Sequence, residues 1–356
     1  MRVAYVSSHA GFVGGGEYSL FDLMTHLPAD VEPVLLVPSA GALSSAAEQE
    51  GIEWHAVAMP PIGVASLPAL WRWRRLIRDI RPDILHANNS RAAFYAGLTG
   101  KIMQIPVLFH CRVNRPDPWM DGMLVRLVRG VIVNSHATAR RFEPWPDLSA
   151  RVVHNGVDLP VGEKGAMGSH PFGAEHILLV VARISRWKRH DIALDVFERL
   201  SDRFPGLHLL CIGGKDESEW WEEMQKRTRV SGKEDCIHWL GEVERSEMGK
   251  WYASADVLLL PSDDEPFGRV LVEGMAMGVP VVAFNAGGVS EVIRHEHEGL
   301  LVSPGDVESM TAAVARLLDD EALCVSMGKA GRKRARLFSV QEHISRICGI
   351  YEEVRA

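Results

Sequence analysis

The amino-acid sequence predicts an α/β protein made of two tandem, doubly wound domains that face a central cleft. Short runs rich in Val, Ile and Leu alternate with amphipathic segments of helical period, and the alternation restarts after a Gly- and Pro-rich stretch at 158–173. Apolar strands separated by helices are typical of parallel sheets covered on both faces. With 356 residues, the chain is long enough for about two domains of common size.

The strand-like runs form two sets, one in each half of the chain. They are 3–7, 33–38, 54–58, 83–87, 106–110 and 131–135, followed by 176–182, 207–213, 255–261 and 279–284. Helical periodicity marks segments such as 16–27, 66–80, 188–203 and 306–318. We therefore predict an N-terminal domain over 1–160, a linker over 161–173, a C-terminal domain over 174–338, and a last helix over 339–356 that packs back on the N-terminal domain.

Composition excludes several classes of protein. Residues 1–165 carry 16 basic and 15 acidic side chains and the remainder carries 23 and 31, so the basic surface that a general nucleic-acid binder needs is missing. No apolar run approaches the roughly 20 residues that span a bilayer, and the first seven residues resemble a strand, not a secretory signal. The five scattered cysteines indicate reduced thiols. We expect a cytoplasmic protein without a nucleic-acid partner.

A glycine-rich stretch follows the first predicted strand. Gly14, Gly15 and Gly16 allow close approach of a ligand to the backbone, and the helix that follows offers N–H groups to an anion. The spacing is not G-x-G-x-x-G, because position 19 is Ser19, so a nicotinamide-type site is disfavoured. The alternative is a glycine-rich connection that binds nothing.

A basic pair follows the first strand of the second half. Arg183 and Lys188 flank a turn in "VARISRWKRHD" at 181–191, where they could converge on a polyanion. The alternative for two basic side chains in a loop is a solvated surface. The P-loop pattern G-x-x-x-x-G-K occurs nowhere in the sequence, which argues against an ATPase or kinase of that class.

The segment 258–282 is the most informative. It predicts a strand that ends at Pro261, a polar loop that carries Glu265, a helix that starts at Pro266, and Glu273 about two turns further on. We expect the first N–H groups of that helix to point towards the same space as Glu265. These groups belong to Phe267, Gly268 and Arg269. An anion-binding helix end beside carboxylates suits a phosphorylated sugar.

Two further acids precede Glu265. Asp263 and Asp264 are compatible with a divalent metal ion, but no D-x-D element accompanies them. A solvated acidic loop is the favoured interpretation, and we expect no metal site.

Four segments together resemble glycosyltransferase family 4, which has the GT-B fold. They are "GGGE" at 14–17, "HNGVD" at 154–158, "VARISRWKRHD" at 181–191 and the long segment at 261–293. Their order and approximate spacing follow the family along nearly the whole chain. The resemblance implies two Rossmann-like domains, with the acceptor on the N-terminal side and a nucleotide-diphosphate sugar bound mainly by the C-terminal domain.

The resemblance also implies roles for the C-terminal residues. Glu265 and Glu273 match the glutamate pair of the family, with Glu265 near the hydroxyls of the donor sugar and Glu273 near the ribose. Arg183 and Lys188 match its basic pair on the diphosphate. All four are therefore expected in donor binding, and Arg183, Lys188 and Glu265 also in catalysis.

Further positions follow from the same resemblance. Gly15 and Gly16 match the N-terminal loop that approaches the diphosphate, and His110 matches the catalytic-site histidine near the transferred sugar. Gly287 and Gly288 match glycines that offer backbone N–H groups to the sugar phosphate.

The implied reaction is the retaining transfer of a hexose-type sugar to an acceptor hydroxyl of a glycan, a lipid-linked molecule or a small natural product. A uridine diphosphate sugar is the first expectation for the donor, and no cofactor or essential metal is expected. The sequence departs from the family at Pro266 and Arg189, where glycine is common. A nucleotide-sugar epimerase of the same fold and a non-catalytic sugar-binding protein are the alternative functions.

The helical segment 69–81 is both basic and aromatic. Arg72, Arg75 and Arg78 share one side, and Trp73 and Ile80 lie on another. One interpretation is peripheral contact with the inner face of a membrane. The favoured interpretation is that the apolar side chains dock the helix on the N-terminal sheet and leave the arginines solvated.

Overall fold

The computed structural model of the chain describes residues 1–63, 66–146, 148, 150–159 and 171–355. It divides into two compact units, the first made of Met1–Asp158 with Phe338–Ala356 and the second of Leu159–Leu337. Most of the predicted linker, residues 161–170, lies outside the described residues. Each unit is built on one parallel sheet with helices between successive strands, so the predicted doubly wound α/β class is confirmed.

The first unit contains a seven-stranded sheet in the order β3-β2-β1-β4-β5-β6-β7. The strands are β1 (Arg2–Val6), β2 (Glu32–Val37), β3 (Glu53–Ala56), β4 (Ile84–Ala87), β5 (Val107–Cys111), β6 (Gly130–Val133) and β7 (Ala150–Val152). The first six are the predicted runs within a few residues. The central strands are buried along almost their whole length, which explains their continuous apolar sequences.

Six helices connect these strands. They are α1 (Gly15–Thr25), α2 (Ala42–Gln49), α3 (Ser66–Ile80), α4 (Ser90–Met103), α5 (Pro118–Leu124) and α6 (His136–Ala139). Trp73, Ile77 and Ile80 of α3 are buried at helical spacing, and Trp73 Nε1 donates to Ala58 O over 3.2 Å. The prediction that this face docks on the first unit is confirmed.

The second unit contains a six-stranded sheet in the order β10-β9-β8-β11-β12-β13. The strands are β8 (His176–Val181), β9 (Leu207–Ile212), β10 (Ile237–Gly241), β11 (Val257–Leu260), β12 (Val281–Phe284) and β13 (Gly299–Val302). The helices are α7 (His190–Leu200), α8 (Ser218–Ser231), α9 (Met248–Ser254), α10 (Arg269–Ala276), α11 (Val289–Val292), α12 (Val307–Asp319) and α13 (Glu321–Ala335). Strands β10 and β13 lie at the two edges and were not among the predicted runs.

The last helix, α14 (Val340–Arg355), belongs to the first unit. Ile347 and Tyr351 are fully buried in a cluster that also contains Tyr5 and Leu20. Tyr351 therefore enters a core built by the opposite end of the chain. Among the described residues, no helix is long and apolar enough to cross a membrane.

Candidate active site

Both sheets have a switch point at which the strand order reverses. In the second unit β8 is flanked by β9 on one side and β11 on the other, and in the first unit β1 is flanked by β2 and β4. Ligands of open α/β sheets bind outside the carboxyl ends of the strands at such a point. Arg183 and Lys188 follow β8, and Glu265 follows β11. The second unit thus brings predicted site residues to the expected edge of its sheet.

Lys188 and Glu265 form an ion pair at this edge. Lys188 Nζ lies 2.5 Å from Glu265 Oε2, and the two side chains are only 13% and 11% exposed. The ammonium also lies 3.9 Å from the ring centroid of Trp187. The two loops are joined a second time, because Asp263 N donates to Trp187 O over 2.9 Å. A cation and a carboxylate, the two groups that a phosphorylated sugar needs, are therefore held side by side.

Arg183 has a different carboxylate partner. Its Nη1 lies 2.8 Å from Asp216 Oδ2, and the two side chains are 37% and 35% exposed. An ion pair with this exposure contributes about 0–1 kcal/mol to stability. A diphosphate, with more charge, can therefore replace Asp216 at small cost.

The helix after Glu265 begins later than predicted. The expectation that Pro266 starts it is wrong: α10 begins at Arg269, with Gly268 as its N-cap residue at φ 86°. A left-handed φ cannot continue into a right-handed helix, so the helix starts after this glycine. Phe267 is buried in the preceding irregular segment, and Arg269 is the first helical residue. Glu273 is consequently about one turn into the helix, not two.

Glu273 is held by a residue that the sequence analysis missed. Tyr252, in α9, donates its hydroxyl to Glu273 Oε2 over 2.7 Å. Burial, and then the neighbouring carboxylate, raise the pKa of Tyr252 well above its ordinary value of 10, so the hydroxyl keeps its proton and remains a donor. Arg269 Nη2 lies 3.7 Å from Glu273 Oε1. The Glu273 side chain remains 22% exposed, so an oxygen can still accept from a ligand.

The two glycines after β12 have different roles. Gly287 adopts φ 62°, a conformation that favours glycine. The Gly288 N–H donates to the carbonyl oxygen of Glu265 over 2.7 Å. This bond ties the loop after β12 to the loop after β11, so in this conformation the Gly288 N–H positions Glu265, in contrast to the predicted contact with a phosphate.

Arg189 occupies a backbone position that suits glycine. Its φ is 53°, which costs an ordinary residue about 1–2 kcal/mol. Its guanidinium donates to Asp191 Oδ2 and to Asp263 Oδ1, both over 2.9 Å. Asp263, predicted in a solvated loop, is therefore an ion-pair partner. Among the described residues no group of three or more His, Cys, Asp or Glu side chains is arranged to hold a metal ion.

In the first unit, the glycine-rich stretch forms the start of α1. Gly14 is the N-cap residue, and Gly15 and Gly16 are the first two helical residues. Glu17 Oε2 accepts from Gly14 N over 3.1 Å, and its Oε1 lies 2.9 Å from His9 Nδ1. N–H groups in the first turn of a helix have no acceptor within the helix. The Gly14 N–H is engaged by Glu17, and an anion contact of the Gly15 and Gly16 N–H groups stays a prediction.

His110 lies in β5 and is fully buried. Its Nδ1 lies 3.1 Å from His86 Nε2 and 3.2 Å from Arg112 Nη2. Its Nε2 is buried and has no hydrogen-bond partner among the described residues. Burial, and then the Arg112 charge, hold the pKa of His110 well below 6.5, so the ring is neutral. The sequence analysis selected His110 but missed Arg112, two positions further along the chain.

Family comparisons match both halves of the chain. A model described as "Glycosyl transferases group 1" matches residues 168–334, and a model described as "Glycosyltransferase Family 4" matches residues 13–160. The first match contains Arg183, Lys188 and Glu265, and the second contains Gly15 and His110. The two matches correspond closely to the two units.

Individual relatives are similar over part of their length. A glycogen synthase of Mycobacterium tuberculosis (strain ATCC 25618 / H37Rv) is 28% identical over 275 residues, which cover 72% of this chain and 65% of that protein. A GDP-mannose-dependent alpha-(1-6)-phosphatidylinositol monomannoside mannosyltransferase of the same strain is 32% identical over 201 residues, which cover 53% of this chain and 51% of that protein. The chain therefore spans about half to two thirds of these relatives.

Solved structures resemble the chain over its full length. The crystal structure of Anabaena Alr3699/HepE in complex with UDP-glucose has a TM-score of 0.87 and 22% identity, covering 99% of this chain and 100% of that chain. At this identity the similarity establishes the fold.

Proposed function

Because the chain belongs to glycosyltransferase family 4, we propose that it transfers a hexose-type sugar from a nucleotide-diphosphate sugar to an acceptor hydroxyl, with retention of anomeric configuration. The observation that carries this proposal is the pair of Lys188 and Glu265, 2.5 Å apart at the switch point of the second sheet. The ammonium can meet a phosphate oxygen and the carboxylate can accept from sugar hydroxyls.

The reaction develops charge in two places. The bond between the anomeric carbon and the diphosphate oxygen breaks, which leaves positive charge on the sugar and negative charge on the departing oxygen. Arg183 and Lys188 stabilise that negative charge more strongly in the transition state than in the ground state. Both must exchange a carboxylate partner for the diphosphate, and the exposure of the Arg183–Asp216 pair makes that exchange inexpensive.

We assign the acceptor proton to the departing diphosphate. The acceptor oxygen bonds to the anomeric carbon on the face that the diphosphate leaves, and its hydroxyl proton moves to the departing oxygen. This same-face route needs no covalent nucleophile from the protein, and Glu265 accepts hydrogen bonds from the sugar hydroxyls in this scheme. We also propose His110 as a polar contact for a sugar hydroxyl, because its Nε2 is buried without a hydrogen-bond partner among the described residues.

The two cations supply the electrostatic stabilisation that a divalent metal supplies in other phosphate chemistry. We therefore propose that turnover is independent of added metal. A chelator such as EDTA should leave the rate unchanged, whereas a loss of activity that Mg²⁺ or Mn²⁺ restores would contradict this part of the proposal.

We propose a uridine diphosphate sugar as the donor. The similar HepE structure holds UDP-glucose, and the GDP-mannose-dependent relative makes a guanosine sugar the alternative. A thermal-shift panel of uridine, guanosine and adenosine diphosphate sugars tests the choice. A ligand at 100 times its dissociation constant adds about 2.7 kcal/mol to the free energy of unfolding, so the correct nucleotide should raise Tm clearly above the others.

One experiment separates the proposed reaction from its alternatives. Release of nucleoside diphosphate is measured with and without a set of acceptors that includes glycans and lipid-linked hydroxyl compounds. A transferase releases it only with acceptor, or slowly by hydrolysis without one. An epimerase would convert the sugar without acceptor, and a sugar-binding protein would bind the donor without any turnover.

Helix α3 supports a further proposal, contact with an anionic membrane that carries the acceptor. While Trp73 and Ile77 are buried, Leu67 and Trp71 are 70% and 66% exposed on the other side. Four exposed arginines surround them: Arg72, Arg74, Arg75 and Arg78. Exposed Leu and Trp beside clustered arginines match a surface that inserts at the headgroup level of anionic lipid. Such contact would place the protein at the inner face of the membrane.

Flotation with liposomes tests this contact. The parent protein should float with vesicles that contain anionic phosphatidylserine and stay behind with neutral ones, because the attraction is mainly electrostatic. The triple variant Arg72→Ser/Arg74→Ser/Arg75→Ser should lose flotation. The matched control, Arg91→Ser/Arg115→Ser/Arg140→Ser, removes three exposed arginines of the same unit and should keep it. Equal flotation of both variants would reject α3 as the contact.

A further inference from the structure

A chain of buried polar side chains runs through the first unit to His110. Tyr5 Oη lies 3.0 Å from Tyr351 Oη, and Tyr351 Oη lies 2.6 Å from His86 Nδ1. His86 Nε2 then lies 3.1 Å from His110 Nδ1, to which Arg112 Nη2 also points over 3.2 Å. We call these five side chains the His110 chain. They come from β1, α14, β4 and β5 and from the residue after β5.

Arg112 decides the direction of the hydrogen bonds. A guanidinium can only donate, so His110 Nδ1 must accept from it. Because the His110 ring is neutral, its one hydrogen must then lie on Nε2. The opposite tautomer would direct an N–H group of His110 at an N–H group of Arg112.

The remaining members agree with this assignment. If His110 Nδ1 accepts, His86 Nε2 carries the hydrogen that it donates, and His86 Nδ1 must accept from the Tyr351 hydroxyl. Because Tyr351 gives its one hydroxyl hydrogen to His86, Tyr5 must donate in the bond between the two tyrosines. Burial, and then the Arg112 charge, also hold the pKa of His86 well below 6.5, so both rings stay neutral.

Arg112 is itself held in place by several neutral groups. Its Nε donates to Asn88 Oδ1 over 2.9 Å, and its Nη1 donates to Ser19 Oγ over 2.8 Å and to Asn155 Oδ1. Arg112 is only 8% exposed, and these bonds leave its guanidinium little freedom to turn away from His110. The direction that it imposes on the His110 chain is therefore part of the folded structure.

We propose that Arg112 and Tyr351 are positioning residues, which hold His110 as a neutral ring with its hydrogen on Nε2, so that Nε2–H donates to an oxygen of the donor sugar. The Nε2 atom is the one polar atom of the ring that is buried without a partner among the described residues. The assignment of the sugar as its acceptor rests on the proposed function. The tautomer itself does not.

The C-terminal helix gains a role from this assignment. Tyr351 lies 265 positions after His86 in the sequence and reaches it because α14 packs in the core of the first unit. The Tyr351 hydroxyl thus places the hydrogen of His86 on Nε2. His86 Nε2–H then donates to His110 Nδ1, which favours hydrogen on Nε2 of His110.

The tautomer is measured directly by long-range ¹H–¹⁵N NMR on protein labelled with ¹⁵N-histidine, with the His110 signals assigned by their loss in His110→Gln. The expected result is a protonated Nε2 and an unprotonated Nδ1 for His110 at neutral pH. A protonated Nδ1, or protonation of both nitrogens, overturns the proposal. The tautomer is read from the parent protein, and His110→Gln is needed only to assign the signals.

Three variants test the origin of the tautomer. Arg112→Met should move the His110 signals towards a mixture of both tautomers, and Arg112→Lys, which restores a charged donor, should move them back. Arg151→Met is the matched control, since Arg151 lies in the same unit but pairs with Glu353. Tyr351→Phe keeps the ring and removes only the hydroxyl, and it should shift the His86 Nδ1 signal. An unchanged His110 spectrum in Arg112→Met, or an unchanged His86 signal in Tyr351→Phe, contradicts the assigned role.

Addition of UDP-glucose to the labelled parent protein separates this inference from the proposed function. If both hold, the His110 Nε2 signal shifts on binding. If the expected tautomer is present but no nucleotide sugar shifts any signal, the positioning role stands and the proposed ligand is wrong. If UDP-glucose binds but His110 carries its hydrogen on Nδ1, the proposed ligand stands and the positioning role is wrong.

Discussion

The two units have equivalent strand orders, but they carry different chemistry, at the switch point of the second unit and at the end of β5 in the first. In the second unit, Arg183 and Lys188 pair with carboxylates, and their side chains are 37% and 13% exposed. In the first unit, His110 and Arg112 are at most 8% exposed and belong to a buried network of hydrogen bonds. The comparison teaches that topology selects the edge of the sheet, whereas burial decides its behaviour. The partly exposed Arg183–Asp216 pair can be exchanged for a ligand, whereas the buried network holds one fixed donor.

The largest effect is expected from removal of both exchangeable cations. The double variant Arg183→Ala/Lys188→Ala should lose at least about 10²–10³ in kcat, because each group acts like a donor to developing negative charge. The measurement is the rate of nucleoside diphosphate release with the donor found in the thermal-shift panel.

Arg186→Ala is the matched control for this variant. Arg186 lies in the same loop, is 56% exposed, and pairs with Glu217 and Glu223. Its removal should leave the rate nearly unchanged. If the double variant retained activity within threefold of the parent protein, the proposed role of the second unit would be wrong.

The next effect concerns the neutral histidines that both units bury. Burial lowers the pKa of His190 to about 4. Between pH 6.5 and this value the unfolded chain binds a proton that the folded chain does not, so stability falls as pH falls, by about 1.4 kcal/mol for each pH unit. The variant His190→Gln should therefore lose less unfolding free energy than the parent protein when pH is lowered from 7 to 5.

Urea denaturation at the two pH values provides the measurement. His86 and His110 remain in the variant, so part of the acid sensitivity should persist from the first unit. An identical loss in variant and parent protein would show that His190 does not titrate as described.

A smaller effect is expected from Glu273, which the family resemblance assigns to the ribose of the donor. Glu273→Gln removes a charged acceptor, which is worth about 1.5–3 kcal/mol, or roughly 10- to 100-fold in Kd for the nucleotide. Tyr252→Phe should weaken binding less, since it removes only the hydrogen bond that orients the carboxylate. Calorimetric titration with the nucleoside diphosphate measures both.

Tyr95→Phe provides the comparison from the first unit. Tyr95 is also buried and donates its hydroxyl to Pro60 O over 2.9 Å, so the variant loses a hydroxyl of the same kind. Its affinity for the nucleotide should match that of the parent protein. If Tyr95→Phe and Tyr252→Phe weakened binding equally, the effect would reflect general destabilisation.

The smallest effect compares one strained residue in each unit. Gln104 and Arg189 have φ values of 58° and 53°. Gln104→Gly should stabilise the protein by about 0.5–1 kcal/mol, because glycine removes the left-handed strain at the end of α4. Arg189→Gly should gain less or lose stability, since the ion pairs with Asp191 and Asp263 disappear. Denaturant titration decides, and a larger gain for Arg189→Gly would mean that its ion pairs contribute nothing.

Much of the candidate site in the second unit could be predicted because its residues directly follow apolar runs that indicate strands. Arg183 follows the apolar run of β8, and Glu265 follows that of β11, so their edge of the sheet was evident from the pattern. The helix start was not, because Pro266 is a favourable first residue and Gly268 reveals its left-handed φ only in the structure. Position 189 also has a left-handed φ, which the sequence does not reveal and which explains why glycine suits it.

The two tyrosines that hold site residues, Tyr252 and Tyr351, could not be predicted from the sequence. Tyr252 reaches Glu273 from another helix, and Tyr351 reaches His86 across most of the chain. No spacing in the sequence marks such a pair, since hydroxyl donors of this kind occur in many helices without a polar partner.

By itself, the sequence determined the doubly wound class, the division into two halves and the residues that end on the ligand side of the strands. These features follow from local periodicity and from chain direction, which any window of the sequence contains. Only the tertiary structure decided that Lys188 pairs with Glu265, that Tyr351 of α14 reaches His86, and that Arg112 directs the hydrogen of His110. Each of these depends on which side chains meet after packing, and hydrogen bonds a few ångströms long are set by contacts between segments that are distant in the chain.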